Sequence, residues 1–176
     1  MRFHPLDLAG TFRIETEPVR DERGAFARTY CRREFAAQGL CVEWVQCNTS
    51  LTLGKGSLRG LHYQAAPHAE AKLIRCTAGA VHDVAVDLRP GSQTFLRWIA
   101  VRLDAEALDM FYLPEGVAHG FQVLTEHAEL FYQMSASYEP AAARGVRWDD
   151  PLFNISWPLP VGTISPRDAG FADFKP

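Results

Sequence analysis

Much of this sequence is a succession of short β-type runs, with turn residues about every ten positions. The runs cover residues 42–53, 58–63, 72–77, 81–88, 95–103, 109–113, 119–124 and 128–135. Many short strands at this spacing predict an antiparallel sandwich or barrel rather than βαβ units. Between the first two runs, Gly54-Lys55-Gly56 predicts a hairpin.

Helical structure is predicted for only a small part of the sequence. Residues Cys31 to Gln38 are typical of a helix, and Gly39 stands where a C-terminal cap is expected. The proline-rich stretch from Pro151 is compatible with short helical turns. No linker, internal repeat or low-complexity segment divides the 176 residues, so we expect one all-β domain, residues 1–176, with minor helices.

Composition excludes several classes of protein. The hydrophobic fraction of 47% and charged fraction of 22% are those of an ordinary soluble domain. A net charge of −3 gives no general attraction to nucleic acid or to an anionic membrane, so an anionic ligand requires a local cluster of Arg and Lys. The sequence shows neither a signal-peptide run nor a segment that could span a bilayer. Four separate cysteines without C-x-x-C spacing predict reduced, mostly packed thiols in a cytoplasmic protein.

One histidine lies in the apolar and aromatic segment Leu58-Arg59-Gly60-Leu61-His62-Tyr63-Gln64, with Lys72 ten residues later. His62 is the first candidate for a proton-transfer base, because imidazole is the side chain that most readily exchanges a proton near neutral pH. Strict alternation puts Arg59 and His62 on opposite faces of a strand. Both therefore reach one pocket only if Gly60 marks a bulge or twist.

Residues 81–88 alternate between two registers of different polarity. The register that begins at His82 is the more apolar, so simple alternation places Asp83 and Asp87 on the solvent face. A carboxylate that faces a functional cavity would give the same pattern.

Several further motifs occur along the chain in a fixed order. They are Asp21-Glu22-Arg23-Gly24-x-Phe26, Gln46-x-Asn48-x-Ser50, Pro67-His68-x-x-x-Lys72-Leu73, residues 83–89, Pro114-Glu115-Gly116-x-Ala118-His119-Gly120-Phe121, Phe131-Tyr132, Tyr138-x-Pro140, Arg144-Gly145-x-x-Trp148-x-Asp150-Pro151 and Ser165-x-Arg167-Asp168. Together with the His62 segment, this order resembles the dTDP-4-dehydrorhamnose 3,5-epimerase family of nucleotide-sugar epimerases. The resemblance implies a cupin-type antiparallel jelly-roll sandwich or barrel with a few short helices.

The resemblance also implies an acid–base site for a keto sugar in deoxysugar biosynthesis of the dTDP-rhamnose type, without a cofactor. A carbonyl at C4 makes the hydrogens at C3 and C5 slightly acidic, because the resulting charge is held as an enolate. By resemblance, His62 is the base, Asp168 is its dyad partner, and Tyr132 is the acid that returns a proton from the opposite face. Lys72 is implied to stabilise the enolate oxygen.

Other residues are implied to hold the substrate. Arg59 and His119 would line the sugar and diphosphate pocket, with the Asp83 carboxylate supporting the histidines. In this family the positions of Arg23 and Phe26 can be supplied by the partner subunit, which implies a homodimer. The residues implied to bind the nucleotide are Arg23, Phe26, Gln46, Asn48, Tyr138, which would stack on an aromatic ring, and Arg167.

The chain departs from the family pattern where the nucleotide would be recognised. Arg28 stands at a usually acidic position, Ala143 stands where Glu is common, and the common Gln-Asp-Asn-His-Ser run reads Gln46-Cys47-Asn48-Thr49-Ser50. These departures leave open the nucleotide, the keto sugar, and whether C3, C5 or both are epimerised.

Three other functions are compatible with the same fold. A metal-dependent cupin gathers closely spaced histidines and a carboxylate, but Tyr63-Gln64 follows His62 where a second ligand would be needed, so we expect no catalytic metal. A sugar ketoisomerase shares the keto-sugar chemistry but moves the carbonyl. A non-catalytic carbohydrate- or nucleotide-binding module would not need a base and an acid on opposite faces.

Overall fold

A computed structural model describes residues 1–176, which form thirteen strands and two short helices. The helices are α1 (Arg32–Ala37) and α2 (Pro166–Ala169). The strands are β1 (Arg2–Pro5), β2 (Phe12–Glu15), β3 (Val19–Asp21), β4 (Gly24–Phe26), β5 (Gln46–Leu53), β6 (Leu58–Gln64), β7 (Lys72–Ala78), β8 (Ala80–Asp87), β9 (Trp98–Asp104), β10 (Met110–Leu113), β11 (Val117–Val123), β12 (His127–Met134) and β13 (Ala143–Gly145).

Most strands belong to two antiparallel sheets that pack face to face. The six-stranded sheet has the order β1-β2-β10-β7-β12-β5, and the five-stranded sheet has the order β13-β6-β11-β8-β9. Strands β3 and β4 form a separate hairpin. Successive strands often lie in opposite sheets, as β5 and β6 do, and β7 and β8. The predicted antiparallel jelly-roll sandwich is confirmed.

The hairpin predicted at Gly54-Lys55-Gly56 is wrong. Strand β5 pairs with β12 along its whole length, from Gln46 opposite Met134 to Leu53 opposite His127, whereas β6 pairs with β11 and β13. The positive φ angles of the two glycines, 86° and 85°, let the chain cross from one sheet to the other. A sequence turn signal marks a reversal of direction, and it does not state in which sheet the next strand pairs.

The main hydrophobic core lies between the sheets. It includes side chains from both, among them Ile74 and Leu130 from the six-stranded sheet and Val81, Ala85 and Phe121 from the five-stranded sheet. The outer face of each sheet is also covered. Helix α1 places the fully buried Phe35 against the six-stranded sheet, and the C-terminal segment from residue 146 packs against the five-stranded sheet.

This covering explains why the solvent-facing prediction for Asp83 and Asp87 is wrong. Both side chains are fully buried and share their strand face with Val81 and Ala85, which point into the main core. The more apolar register of β8 packs instead under the C-terminal segment, so neither face of this strand is exposed. Alternation identified the two faces of β8, but the face that carries Asp83 and Asp87 is buried in the sandwich and not exposed to solvent.

The remaining predictions agree with the structure in part. The predicted helix is α1, flanked by Cys31 and by Gly39 with a φ of 68°, and α2 is a short turn in the proline-rich tail. Strands β1 to β4 and β13 are additional to the predicted runs. All four cysteines are unpaired, although only Cys76 is buried. Neither helix has the length and hydrophobicity needed to cross a membrane.

Candidate active site

A cavity of about 380 Å³ opens between the two sheets and gathers most of the predicted site residues. Its walls come from β5, β6, β7, β11, β12 and β13, together with residues of the loop after β12 and of α2. Nine of the predicted residues line it: Gln46, Asn48, Arg59, His62, Lys72, His119, Tyr132, Tyr138 and Arg167. Asp168 lies behind His62, where it contacts the imidazole ring.

His62 and Asp168 form a hydrogen-bonded pair at one wall of the cavity. The distance from His62 Nε2 to Asp168 Oδ1 is 2.8 Å. The His62 side chain is 41% exposed, whereas that of Asp168 is 6% exposed, so only the imidazole is accessible to a ligand. A neutral imidazole that donates from Nε2 to a carboxylate has its lone pair on Nδ1. This pairing therefore fixes the tautomer that is needed for a base.

Helix α2 presents Asp168 through a compact capping arrangement. Ser165 is the N-cap, Pro166 begins the helix, and the Asp168 amide donates to Ser165 Oγ at 3.1 Å. The second carboxylate oxygen of Asp168 accepts from the Gly60 amide, also at 3.1 Å. Burial by itself raises the pKa of Asp168, but the His62 ring, the Gly60 amide and Ser165 together lower it below its usual value. Asp168 is thus held as a carboxylate.

Gly60 brings Arg59 and His62 to the same cavity. The pairing of β6 with β11 shifts register between His119 and Phe121, so His62 faces His119 while Arg59 faces Phe121. Gly60 has a φ of 118°, and a Cβ at this position would lie 2.5 Å from the Gly120 Cα atom. Only glycine fits this close approach of two backbones. The strand thus has, near Gly60, the irregularity that a shared pocket for Arg59 and His62 requires.

Tyr132 reaches the cavity from the opposite sheet. It lies on β12, across from the β6 strand that carries His62. Burial, followed by the nearby negative charge of Asp83, raises the pKa of the Tyr132 phenol well above its usual value, although Arg59 opposes this effect. The phenol therefore keeps its proton at neutral pH. A protonated donor on one wall thus opposes an imidazole on the other.

Lys72 supplies a buried positive charge. Its side chain is only 9% exposed, and its Nζ donates to the His62 carbonyl oxygen at 3.1 Å. Burial lowers the pKa of the Lys72 ammonium below its usual value, and the carboxylates of Glu70 and Asp83 offset part of this decrease. This charge is positioned to stabilise an oxyanion in the cavity.

A second imidazole–carboxylate pair lies deeper in the sandwich. His119 Nε2 is 2.5 Å from Asp83 Oδ1, and the two side chains are 6% and 0% exposed. The ring of Tyr132 meets the His119 ring edge-on, with 5.7 Å between centroids. Asp83 therefore supports His119 directly, and it influences Tyr132 and Lys72 through its charge.

The cavity is rich in positive charge although the whole chain is acidic. Its lining contains Arg59, Lys72, Arg144 and Arg167, against Glu70 as the one acidic residue. Arg59 crosses between the sheets and donates from Nε to Thr52 Oγ1 at 2.8 Å. A local cationic cluster of this kind is what an anionic ligand requires in a protein of net charge −3.

Polar residues at one end of the cavity support a loop that carries Tyr138. Gln46 accepts from the Tyr138 amide through Oε1 at 2.9 Å, and its Nε2 donates to Asn48 Oδ1 at 3.3 Å. The Tyr138 side chain is largely exposed, so its ring is free to stack on a planar group. Ala143 also lines the cavity, next to Arg144.

Arg23 and Phe26 are not brought to the cavity. They lie on the β3–β4 hairpin, where Arg23 pairs with Asp21 and the Phe26 residue is 78% exposed. Arg28 lies close to this hairpin and pairs with Glu34 at 2.7 Å, also away from the cavity. Within one chain, these residues therefore have no contact with the candidate site, and their binding role stays a prediction.

Several residues that line the cavity are not among those predicted from the sequence, for example Gln64, Glu70 and Arg144. Gln64 lies two residues after His62 on β6, and Glu70 lies two residues before Lys72. Residues two apart on an extended chain share a face, which is the signal that would have identified them. No group of three or more His, Cys, Asp or Glu side chains is arranged to hold a metal ion.

Comparisons with known proteins identify the family of the chain. A family model described as dTDP-4-dehydrorhamnose 3,5-epimerase matches residues 5–176. The dTDP-4-dehydrorhamnose 3,5-epimerase of Shigella flexneri is 46% identical over 156 residues, which are 88% of this chain and 86% of the relative.

Solved structures extend the similarity to the fold. The crystal structure of dTDP-4-dehydrorhamnose 3,5-epimerase from Elizabethkingia anophelis has a TM-score of 0.94 at 38% identity, with coverage of 99% of this chain and 96% of that chain. The Legionella pneumophila dTDP-6-deoxy-D-glucose-3,5-epimerase, in complex with dTDP-4-keto-L-rhamnose, has a TM-score of 0.91 at 37% identity, with coverage of 97% and 90%. The chain belongs to the dTDP-4-dehydrorhamnose 3,5-epimerase family, and it is therefore an isomerase of the epimerase class.

Proposed function

We propose that this protein epimerises a dTDP-linked 4-keto-6-deoxy sugar at C3, C5 or both by acid–base proton transfer. The observation that carries this proposal is the opposition of two groups across one cavity. His62, paired with Asp168, lies on the five-stranded sheet, and the protonated Tyr132 lies on the six-stranded sheet. Inversion at a carbon atom requires a base and an acid on opposite faces of the sugar ring.

In the proposed reaction His62 Nδ1 removes a proton from the carbon next to the carbonyl, and the carbonyl oxygen becomes an enolate. Asp168 stabilises the imidazolium that forms. Tyr132 then gives its phenolic proton to the opposite face of the same carbon, which inverts the centre. Before the next turnover, His62 releases its extra proton to solvent and the Tyr132 phenolate takes up a proton from solvent.

The Lys72 ammonium stabilises the enolate oxygen in this scheme. A pre-placed donor of this kind contributes on the order of 3–4 kcal/mol to transition-state stabilisation. General acid–base catalysis adds about 10²- to 10⁴-fold in rate. Neither effect suffices alone, so the proposal assigns the rate enhancement to the combination of His62, Tyr132 and Lys72.

The diphosphate and base of the substrate are proposed to bind against the arginine residues and Tyr138 of the cavity lining. Arg59, Arg144 and Arg167 supply positive charge for the diphosphate, and Tyr138 offers a ring for stacking. The Legionella pneumophila relative was solved with a dTDP-linked keto sugar, which supports the same class of substrate here. Unpaired thiols and a nucleotide-sugar substrate support a cytoplasmic location.

We further propose a homodimer in which the β3–β4 hairpin supplies Arg23 and Phe26 to the partner's cavity. Support comes from the high exposure of both residues and from their separation from the cavity of their own chain. Mixing R23A and H62A proteins tests this: a hybrid dimer then has one complete site and regains activity. If the hairpin served its own chain, both sites of the hybrid would stay defective and the mixture would stay inactive.

The function is tested by incubating the protein with dTDP-4-keto-6-deoxyglucose in deuterated water and following the sugar by NMR. Deuterium entering C3, C5 or both, with inversion, is the expected result, and it identifies the epimerised centres. Migration of the carbonyl would instead indicate a ketoisomerase. Binding without exchange would indicate a carbohydrate- or nucleotide-binding module. Metal analysis of the active protein tests the expectation that no metal is needed.

A further inference from the structure

Glu70 is the only acidic residue that lines the cationic cavity, and it contacts the ammonium of Lys72. Glu70 Oε1 lies 3.3 Å from Lys72 Nζ, and the two side chains are 10% and 9% exposed. Both charges are therefore buried together at the edge of the proposed reaction centre. A carboxylate at this point lowers the net positive charge available to a substrate diphosphate, so its presence needs a physical explanation.

We propose that Glu70 is a positioning residue that keeps the buried Lys72 ammonium charged and holds it against the cavity wall. The inference deepens the proposed function, because the charge on Lys72 matters for catalysis only if an enolate forms in the cavity. The role of Glu70 itself is a property of the free protein, and it is testable without substrate.

Hydrogen bonds fix the position of both partners. Lys72 Nζ also donates to the His62 carbonyl oxygen at 3.1 Å, which anchors the ammonium beside the proposed base. Gln64 Nε2 donates to Glu70 Oε2 at 3.2 Å. The Gln64 amide is itself held, because Nε2 donates to the His68 carbonyl at 2.9 Å and Oε1 accepts from the Glu139 amide at 2.6 Å. Glu70 is thus oriented towards Lys72 by a rigid neighbour.

Burial and charge act on Lys72 in opposite directions. Removal from water disfavours the ammonium and lowers its pKa, whereas the Glu70 carboxylate and, to a smaller degree, Asp83 on β8 raise it. The other ionisable side chains that the surrounding strands contribute to the cavity are Arg59, His62 and Tyr63 on β6, His119 on β11, Tyr132 on β12 and Arg144 on β13. Asp83 is hydrogen-bonded to His119, so Glu70 is the carboxylate that pairs directly with Lys72.

The effect of Glu70 on the protonation of Lys72 can be measured directly. Lys72 is one of three lysines, and the other two, Lys55 and Lys175, are exposed. NMR of protein labelled with [ε-¹³C]lysine therefore gives three signals, two of which serve as internal references during a pH titration. We expect Lys72 to lose its proton at a lower pH in E70Q than in the natural protein, while Lys55 and Lys175 titrate unchanged.

A matched control separates this effect from the loss of any glutamate. Glu129 on β12 is partly buried and accepts from Thr77 Oγ1 at 2.6 Å, but it lies outside the cavity. E129Q is expected to leave the Lys72 titration unchanged. Equal Lys72 titration in the natural protein and E70Q overturns the proposal. If E70Q does not fold, E70D is measured in its place. Its side chain is shorter, so the Lys72 titration should move to lower pH. An unchanged Lys72 titration again overturns the proposal.

The pH dependence of kcat/KM provides a second test, because it would not change if Glu70 had a purely structural role. In E70Q the alkaline limb of the kcat/KM profile should lie at lower pH than in the natural protein, because Lys72 loses its proton more readily without the Glu70 carboxylate. A structural role would lower the melting temperature without changing the shape of the profile, and that outcome contradicts the proposal. If the natural protein shows no activity, the proposed function fails, but the NMR titration still decides the role of Glu70.

Discussion

The two histidines of the cavity lie opposite each other on neighbouring strands, but their surroundings differ. His62 is 41% exposed and pairs with Asp168, whereas His119 is 6% exposed and pairs with Asp83. Only the first imidazole combines a fixed tautomer with access to a ligand. Proton abstraction is therefore assigned to His62, and His119 is assigned to lining and supporting the cavity.

Tyr132→Phe separates the two proton transfers. The ring and its packing are retained, but the donor is lost, so we expect kcat for epimerisation to fall by about 10²- to 10⁴-fold. His62 still removes the proton, so exchange of the substrate hydrogen with deuterated water should continue without inversion. NMR of the recovered sugar measures both quantities. Exchange and inversion that fall together would remove Tyr132 as the acid.

At the level of elements, the C-terminal segment links the outer face of the five-stranded sheet to the catalytic pair. Helix α2 carries Asp168, and Phe171 follows it with its ring edge-on to His62, 6.0 Å between centroids. Arg147 holds the tail through Asp173 at 2.6 Å, and the Phe174 amide donates to Asp150 Oδ2, also at 2.6 Å. The same segment that buries β8 also aligns the base.

Gly145→Ala tests this link. Gly145 on β13 lies opposite His62, and a Cβ there would come 2.1 Å from the Phe171 ring. The ring must move, and α2 with Asp168 moves with it, so we expect kcat/KM to fall by about 10²-fold. Gly91→Ala is the control, because a Cβ at Gly91 meets nothing within 4 Å. Equal activity of G145A and G91A would show that the segment does not align His62.

The positions of the strands were predicted from the sequence more accurately than the pairing between them. Periodicity placed β5 to β12 within a few residues, because it depends on local alternation. It could not show that β5 and β6 lie in different sheets, or that a distant tail covers the apolar face of β8 and turns Asp83 inward. These properties depend on contacts between residues far apart in the chain.

The same distinction applies to the candidate site. The motifs identified His62, Tyr132, Lys72 and Asp168, all of which the structure brings to or behind one cavity. Glu70 was missed because it precedes the predicted run that begins at Lys72, and only the fold shows its contact with Lys72. Residue types indicate which chemistry a site could perform, whereas the contacts between its side chains are known only from distances in the structure.

At the scale of the whole molecule, the buried Asp87 connects the sandwich to its connecting loops. Its carboxylate accepts from Arg89 Nε at 2.8 Å, from Ser92 Oγ at 2.5 Å and from Thr94 Oγ1 at 2.7 Å. Burial raises the pKa of Asp87, but these donors outweigh it and lower the pKa to about 2. Arg89 also donates to the Ala9 carbonyl, so the network ties two distant parts of the chain.

This pKa predicts how stability depends on pH. A carboxylate with a depressed pKa in the folded state contributes its full stability above its unfolded pKa of about 4 and loses it as the pH falls to about 2. Asp87 should contribute about 2 kcal/mol to the free energy of unfolding in this way. Urea unfolding of D87N should show lower stability at neutral pH and a weaker dependence between about pH 4 and pH 2. A dependence equal to that of the natural protein would contradict the assignment.

The most direct test of the account compares the natural protein with H62A in deuterated water, using dTDP-4-keto-6-deoxyglucose as substrate. The circular dichroism spectrum and melting temperature of H62A should remain close to those of the natural protein, because His62 is partly exposed at a cavity wall. We expect deuterium at C3, C5 or both with the natural protein, and a loss of this exchange by at least about 10²-fold in folded H62A. Exchange at a near-normal rate in folded H62A would contradict the central claim that His62 is the base.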